Sequence, residues 1–208
     1  MHEIDTQRHP VRDHFRFLRT WLRNPTRIGA VMPSGRSLAA AMAAEIDPAA
    51  PGAVIELGGG TGNITAALLD GAVTPPNLVV IEQEPSLCRV IAERFPNIKV
   101  VCGDARRLRR LLREAGIGPV KAVVSGLPLL SMPKRTEHAI LSQVFSVLPP
   151  DGVYVQFTYG PRPPISRTIA LALDLVGDRS HWVLDNIPPA AVWNYQKRQA
   201  FTPLKQAV

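Results

Sequence analysis

From residue 53 onward the chain alternates two hydrophobic periods. The runs AVIEL (53–57), LVVIE (78–82), KVVCG (99–103), KAVVSGL (121–127) and GVYVQFTY (152–159) are short, continuous and rich in β-branched residues. Strands buried on both faces of a parallel sheet read this way, because neither side meets water. Between the runs, apolar residues return at helical spacing over 62–69, 85–95, 105–115, 133–148 and 165–176. The alternation predicts an α/β fold with a doubly wound, mostly parallel sheet. The tail departs from it: HWVLDNIPPAAVWNYQKR holds two strand-like runs around IPPA with no helix between them. It predicts a C-terminal antiparallel hairpin that brings the sheet to seven strands. Upstream, 37–46 has the pattern of a short helix, and DPAAPG after it is a linker of helix breakers.

A different pattern occupies the start. Arg8, Arg12, Arg16, Arg19 and Arg23 are spaced by four, four, three and four residues, which places them within an arc of roughly 80° on a helix. Val11, Phe15, Phe17, Leu18, Trp21 and Leu22 cover much of the opposite side. The segment predicts an amphipathic N-terminal helix that ends before Pro25, since the proline pushes Asn24 out of the helical region. One face favours hydrocarbon and the other anions, the arrangement of a helix lying in the plane of an acidic membrane surface. Packing of the apolar face on the protein's own core, with a solvated arginine stripe, accounts for the pattern equally well.

The 208 residues suffice for one well-buried domain, expected over 37–208, with the helix and its connecting turn at 1–36 as an extension. The apolar fraction of 46% is that of an ordinary α/β protein, and no apolar run is long enough to span a bilayer. MHEIDTQRHP has acidic residues and no apolar stretch, so it does not read as a secretory signal. Cys88 and Cys102 are too few for a disulfide framework, and a cytoplasmic location is expected. A net charge of +7 and a pI near 10.0 favour an anionic partner, whether lipid head groups, nucleic acid or an acidic protein.

Chemistry enters at VIELGGGTGNIT, where Glu56 at the end of the first strand precedes Gly58, Gly60 and Gly62 and a helix follows. Glycines let a ligand approach the backbone, and the free N–H groups of a helix start suit a carboxylate. A dinucleotide fingerprint needs glycine at its sixth position, which is Asn63 here, so NAD is disfavoured. The second strand ends on Glu82, with Gln83 after it, where the carboxylate can accept bonds from two ribose hydroxyls. The third strand ends in CGDA, where Asp104 can accept a bond from an adenine amino group.

In this order, the E-x-G-x-G-x-G turn, the acidic end of strand two and the G-D-A of strand three resemble the class I S-adenosylmethionine-dependent methyltransferases, over about residues 50–198. The resemblance implies a Rossmann-like sheet, S-adenosylmethionine as cofactor, S-adenosylhomocysteine as product and no metal. It implies that Glu56 and the loop from Gly58 to Gly62 face the methionine part, Glu82 the ribose, and Asp104 and Ala105 the adenine. Asn63, Gln83 and, at the end of strand four, Ser125 are expected to bind the cofactor with them.

Strand four leads into SGLPLL (125–130), which is similar to the N-L-P-Y signature of the ribosomal RNA adenine dimethylases, with Ser125 in place of Asn and Leu129 in place of the aromatic. Both departures count against RNA: the aromatic would stack on a flipped base, and the Asn would bind its amine. SGLPL together with GAVMPSG (29–35), QFTYGP and NIPPAAVWNY resembles instead the bacterial soluble phospholipid N-methyltransferases, which convert phosphatidylethanolamine stepwise to phosphatidylcholine. That resemblance implies that Val31, Pro33 and Ser34 line the cofactor pocket. It also assigns the basic helix, through Arg8, Arg12, Phe15, Arg16, Leu18, Arg19, Trp21, Leu22 and Arg23, to the anionic inner leaflet of the cytoplasmic membrane.

A lipid amine must be neutral to attack, and three groups are candidates to orient its lone pair: the Tyr159 hydroxyl, the Ser125 hydroxyl and the Leu127 carbonyl. His138 is a weaker candidate as a base. RRLRRLLREAG (106–116) reads as an ordinary amphipathic helix with a solvated basic face. Two other functions fit parts of the pattern: an RNA adenine N6-methyltransferase, and a non-catalytic module that reads membranes or an acidic partner.

Overall fold

The computed structural model describes residues 33–186 and 188–198. The arginine-striped segment and Val31 lie outside the described residues. The elements are α1 Pro33–Ala43, β1 Ala53–Leu57, α2 Asn63–Gly71, β2 Leu78–Glu82, α3 Pro85–Arg94, β3 Lys99–Cys102, α4 Leu108–Glu114, β4 Val120–Ser125, α5 Lys134–Val147, β5 Val153–Tyr159, α6 Arg167–Ala172, β6 Leu175–Val183 and β7 Ala190–Lys197. The seven strands form one sheet in the order β3-β2-β1-β4-β5-β7-β6. β1 to β5 are parallel, and β7 runs antiparallel between β5 and β6. This is the doubly wound architecture with a closing hairpin that the hydrophobic periods predict.

Each face of the sheet carries its own apolar layer. Ile55, Leu57, Val79, Ile81 and Val123 point to one side, where Leu108 and Leu112 of α4, Ile140, Leu141 and Val144 of α5 and Ile169 of α6 cover them. Val54, Leu78, Val80, Val124 and Val155 point to the other, under Leu38 and Met42 of α1, Leu68 of α2 and Ile91 of α3. Covering on both sides is why the strand sequences are continuously apolar.

Three boundaries differ from expectation. α1, expected over 37–46, spans Pro33–Ala43, with proline in a first-turn position where its missing N–H costs nothing. The helix expected over 105–115 is split: Asp104 accepts from the Arg106 N–H and caps a 3-10 turn, Ala105–Arg107, before α4 starts. The helix expected over 165–176 stops at Ala172, and the chain turns through Asp174 at φ 53 into β6. Leu175 and Val176 there pair with Lys197 and Gln196 of β7, a distant partner that local periodicity does not register.

Candidate active site

The crevice opens where the strand order reverses, between β1 and β4, at the carboxyl ends of the strands. After Leu57 the chain turns through Gly58 to Gly62 into α2. Gly60 has φ 53, and a Cβ placed on it would meet nothing within 4 Å, so its outer side is open to a ligand. A Cβ on Gly58 would lie 2.8 Å from Leu127 Cδ2, because the loop after β4 rests directly on the glycine turn. Asn63, exposed at the start of α2, lies beside Gly35, so the first turn of α1, which includes Pro33 and Ser34, adjoins the same loop.

Three acidic side chains stand at successive strand ends. Glu56 is fully buried, and its Oε2 accepts from the Thr65 hydroxyl at 2.7 Å while Oε1 has no partner. Burial pushes its pKa up to about 7; the Thr65 hydroxyl and amide oppose the rise, and the Glu82 charge adds to it. Glu82 ties the crevice together: Oε2 accepts from the Gly60 amide at 3.0 Å, and Oε1 from the amides of Gln83 and Glu84 at 2.7 and 3.0 Å. Gln83 is exposed at the mouth. Asp104 accepts from the Arg106 amide and from its Nε, both at 2.8 Å, and these bonds hold its carboxyl below the usual range. Ala105, half-buried, starts the following turn.

S-adenosylmethionine presents an ammonium, a ribose diol and an adenine amine, all donors, and the site presents acceptors. The orphaned Oε1 of Glu56 lacks the donor that an ammonium would supply, Gly60 leaves room for close approach, and Glu82 keeps about one of its acceptor sites after its three backbone bonds. The residues fit the cofactor.

On the opposite wall, the β4–β5 register places Ser125 level with Gln156. Ser125 is fully buried, and its hydroxyl oxygen accepts from the Leu127 amide at 3.2 Å. It therefore holds the SGLPLL turn. Gln156, which sequence reasoning missed, completes the clamp. Its Nε2 donates to the carbonyls of Leu127 and Phe157, both at 3.1 Å, and its Oε1 accepts from the Tyr154 hydroxyl at 2.7 Å. A glutamine inside an otherwise apolar strand was the available signal. Leu129, the position of the aromatic in the RNA dimethylase signature, is 2% exposed and belongs to the core.

Tyr159 lies three residues beyond the level of Ser125, about 10 Å along the strand and on the opposite face. The two side chains are not neighbours. The Tyr159 ring packs edge-on against Phe157, burial raises its pKa, and the Asn186 side chain beside its hydroxyl opposes the rise. Asn186, also missed, is 3% exposed and donates to the Pro188 carbonyl at 2.7 Å, fixing the β6–β7 turn. His138 is exposed on α5 with its Nδ1 3.4 Å from the Ser142 hydroxyl. Among the described residues no three His, Cys, Asp or Glu side chains converge to hold a metal ion.

Residues 54–152 match a family profile described as a methyltransferase domain. The ornithine lipid N-methyltransferase of Singulisphaera acidiphila is 35% identical over 154 residues, which cover 73% of this chain and 80% of that protein. Among solved structures, a Burkholderia thailandensis 1,6-didemethyltoxoflavin-N1-methyltransferase, with bound 1,6-didemethyltoxoflavin and S-adenosylhomocysteine, superposes with a TM-score of 0.62 at 14% identity, over 94% of this chain and 98% of that one. A TehB-like S-adenosylmethionine-dependent methyltransferase from Corynebacterium glutamicum gives 0.55 at 16% identity, over 91% and 100%. These two share the fold, and the lipid methyltransferase shares the sequence. With the acceptors at three strand ends and the open glycine turn between them, the chain belongs to the class I S-adenosylmethionine-dependent methyltransferases.

Proposed function

We propose that the protein N-methylates the amine of a membrane lipid, with phosphatidylethanolamine as acceptor, while attached to the anionic inner leaflet of the cytoplasmic membrane. The observation that carries this reading is the 35% identity to a lipid N-methyltransferase across 80% of that relative. Because the relative's substrate is ornithine lipid, that aminolipid is the second acceptor to test. An RNA base is disfavoured by Leu129, which is core-buried where a stacking aromatic would stand.

S-adenosylmethionine supplies a methyl already activated on a sulfonium, so the protein's task is to align the amine and exclude water. A lipid amine has a pKa near that of lysine, about 10.4, and only its neutral form attacks. Moving it from water into the crevice favours that form, since a desolvated ammonium is costly. The Tyr159 hydroxyl is the group proposed to orient the lone pair, because the Leu127 carbonyl already accepts from both Gln156 Nε2 and the Leu129 amide. Tyr159 acts as a neutral hydrogen-bonding phenol, because its pKa is raised from an already high value.

Methyl-labelled S-adenosylmethionine offered with phosphatidylethanolamine, ornithine lipid or bulk ribosomal RNA, each product resolved by mass, tests the reading. Label in phosphatidylethanolamine supports it, label in ornithine lipid alone moves the acceptor, and label in RNA alone overturns the lipid assignment.

A further inference from the structure

The end of the sheet that holds the crevice also carries an apolar rim. Tyr159 pairs with Ala190, and the Gly160 amide donates to the Pro189 carbonyl at 3.2 Å, so the loop after β5 and the turn between β6 and β7 lie side by side there. Leu184 is 73% exposed and Trp182 40% exposed, although both flank a well-packed hairpin. Pro161, Pro163, Pro188 and Pro189 are exposed with them, as is Arg162. The Arg179 guanidinium lies 4.9 Å above the Trp182 ring. Of the nearby acids, Asp185 accepts the Ser37 hydroxyl at 2.5 Å, and Asp178 pairs in register with Asn194, away from Trp182, which pairs with Ala191.

We propose that this rim is a bilayer-docking surface: Leu184 enters the hydrocarbon edge, Trp182 sits at the level of the head groups, and Arg162 and Arg179 meet lipid phosphates. The chemistry matches at each point. An indole with an apolar body and a polar edge favours the interface, and arginines beside it complement an anionic leaflet. Proline restricts the backbone of the loops, so less chain entropy is lost on docking. The surface would turn the mouth of the crevice toward the membrane, independently of the N-terminal arginine stripe. The inference rests on the lipid-substrate reading, and its test is built to fail separately from it.

The chain has three tryptophans, Trp21, Trp182 and Trp193. Trp193 is 8% exposed, so in the full-length Trp21→Phe protein Trp182 is the indole open to contact. Vesicles of phosphatidylglycerol and brominated phosphatidylcholine contain no methyl-accepting amine and report docking alone. The expected result is quenching of Trp21→Phe fluorescence that is lost when Trp182→Phe is added. Leu184→Ser, a change at an exposed site that leaves folding intact, should raise the vesicle concentration for half-maximal quenching by about ten-fold, with unchanged methylation of a short-chain, monodisperse aminolipid. Absence of quenching in Trp21→Phe overturns the proposal. So does an unaltered vesicle titration for Leu184→Ser, and so does a dimer that dissociates on Leu184→Ser while vesicle binding persists, which would make the rim a contact between copies.

Discussion

Glu56→Gln isolates a buried charge. In the folded protein the Glu56 carboxyl has a pKa of about 7, against 4.5 when unperturbed. The folded state therefore keeps a proton that the unfolded chain releases, and stability from this group is present at low pH and lost as pH rises through about 7. For those two values the loss between pH 5 and pH 8 is ~2.5 kcal/mol, taking about 1.36 kcal/mol for each tenfold change in the protonation equilibrium and allowing for partial ionisation at both ends. Glutamine keeps an acceptor for the Thr65 hydroxyl and cannot ionise. Urea unfolding of both proteins without cofactor, at pH 5 and pH 8, should show the wild type losing ~2.5 kcal/mol relative to the variant, other titrations cancelling in the difference. Parallel pH profiles would refute the assignment of a neutral buried acid. A cationic ligand against Oε1 should reverse the effect: S-adenosylhomocysteine binding near pH 6 should release a proton, seen calorimetrically as a dependence on buffer ionisation heat, and Glu56→Gln should abolish that release.

Gly126→Ala places a Cβ 2.9 Å from the Gly58 carbonyl oxygen, a backbone atom that cannot swing away. It should cost about 1–3 kcal/mol in urea unfolding and weaken S-adenosylhomocysteine binding measured by calorimetry. Gln156→Leu removes the acceptor of the Tyr154 hydroxyl and one of the two donors to the Leu127 carbonyl, which keeps the Leu129 amide, at about 1–3 kcal/mol in all; steady-state kinetics should show kcat falling more than the KM for S-adenosylmethionine changes. The Cys88 thiol, with its pKa pushed up to about 12 chiefly by burial, donates to the Glu82 carbonyl at 3.4 Å. Iodoacetamide at pH 8 followed by peptide mapping should label exposed Cys102 and spare Cys88 until urea is added.

Local pattern determined the parallel half of this protein. A strand buried on both faces has to be apolar at every position, so AVIEL and LVVIE coincide with β1 and β2 to the residue. Glycines and acids at strand ends marked the crevice for a related reason: a turn that admits a ligand restricts residue type whatever surrounds it. Features that depend on distant partners stayed hidden. β6 begins at Leu175 because β7 lies alongside it, and nothing within 165–176 records that pairing. Ser125 and Gln156 have polar side chains in apolar strands, and only the β4–β5 register shows that both are used to grip the SGLPLL turn. Glu56 was legible as an acid at a strand end, but its raised pKa and orphaned oxygen come from the core closing over it. Periodicity and turn chemistry are properties of a few consecutive residues, whereas burial, register and hydrogen-bond satisfaction depend on which remote segment arrives, and that is decided only when the chain packs.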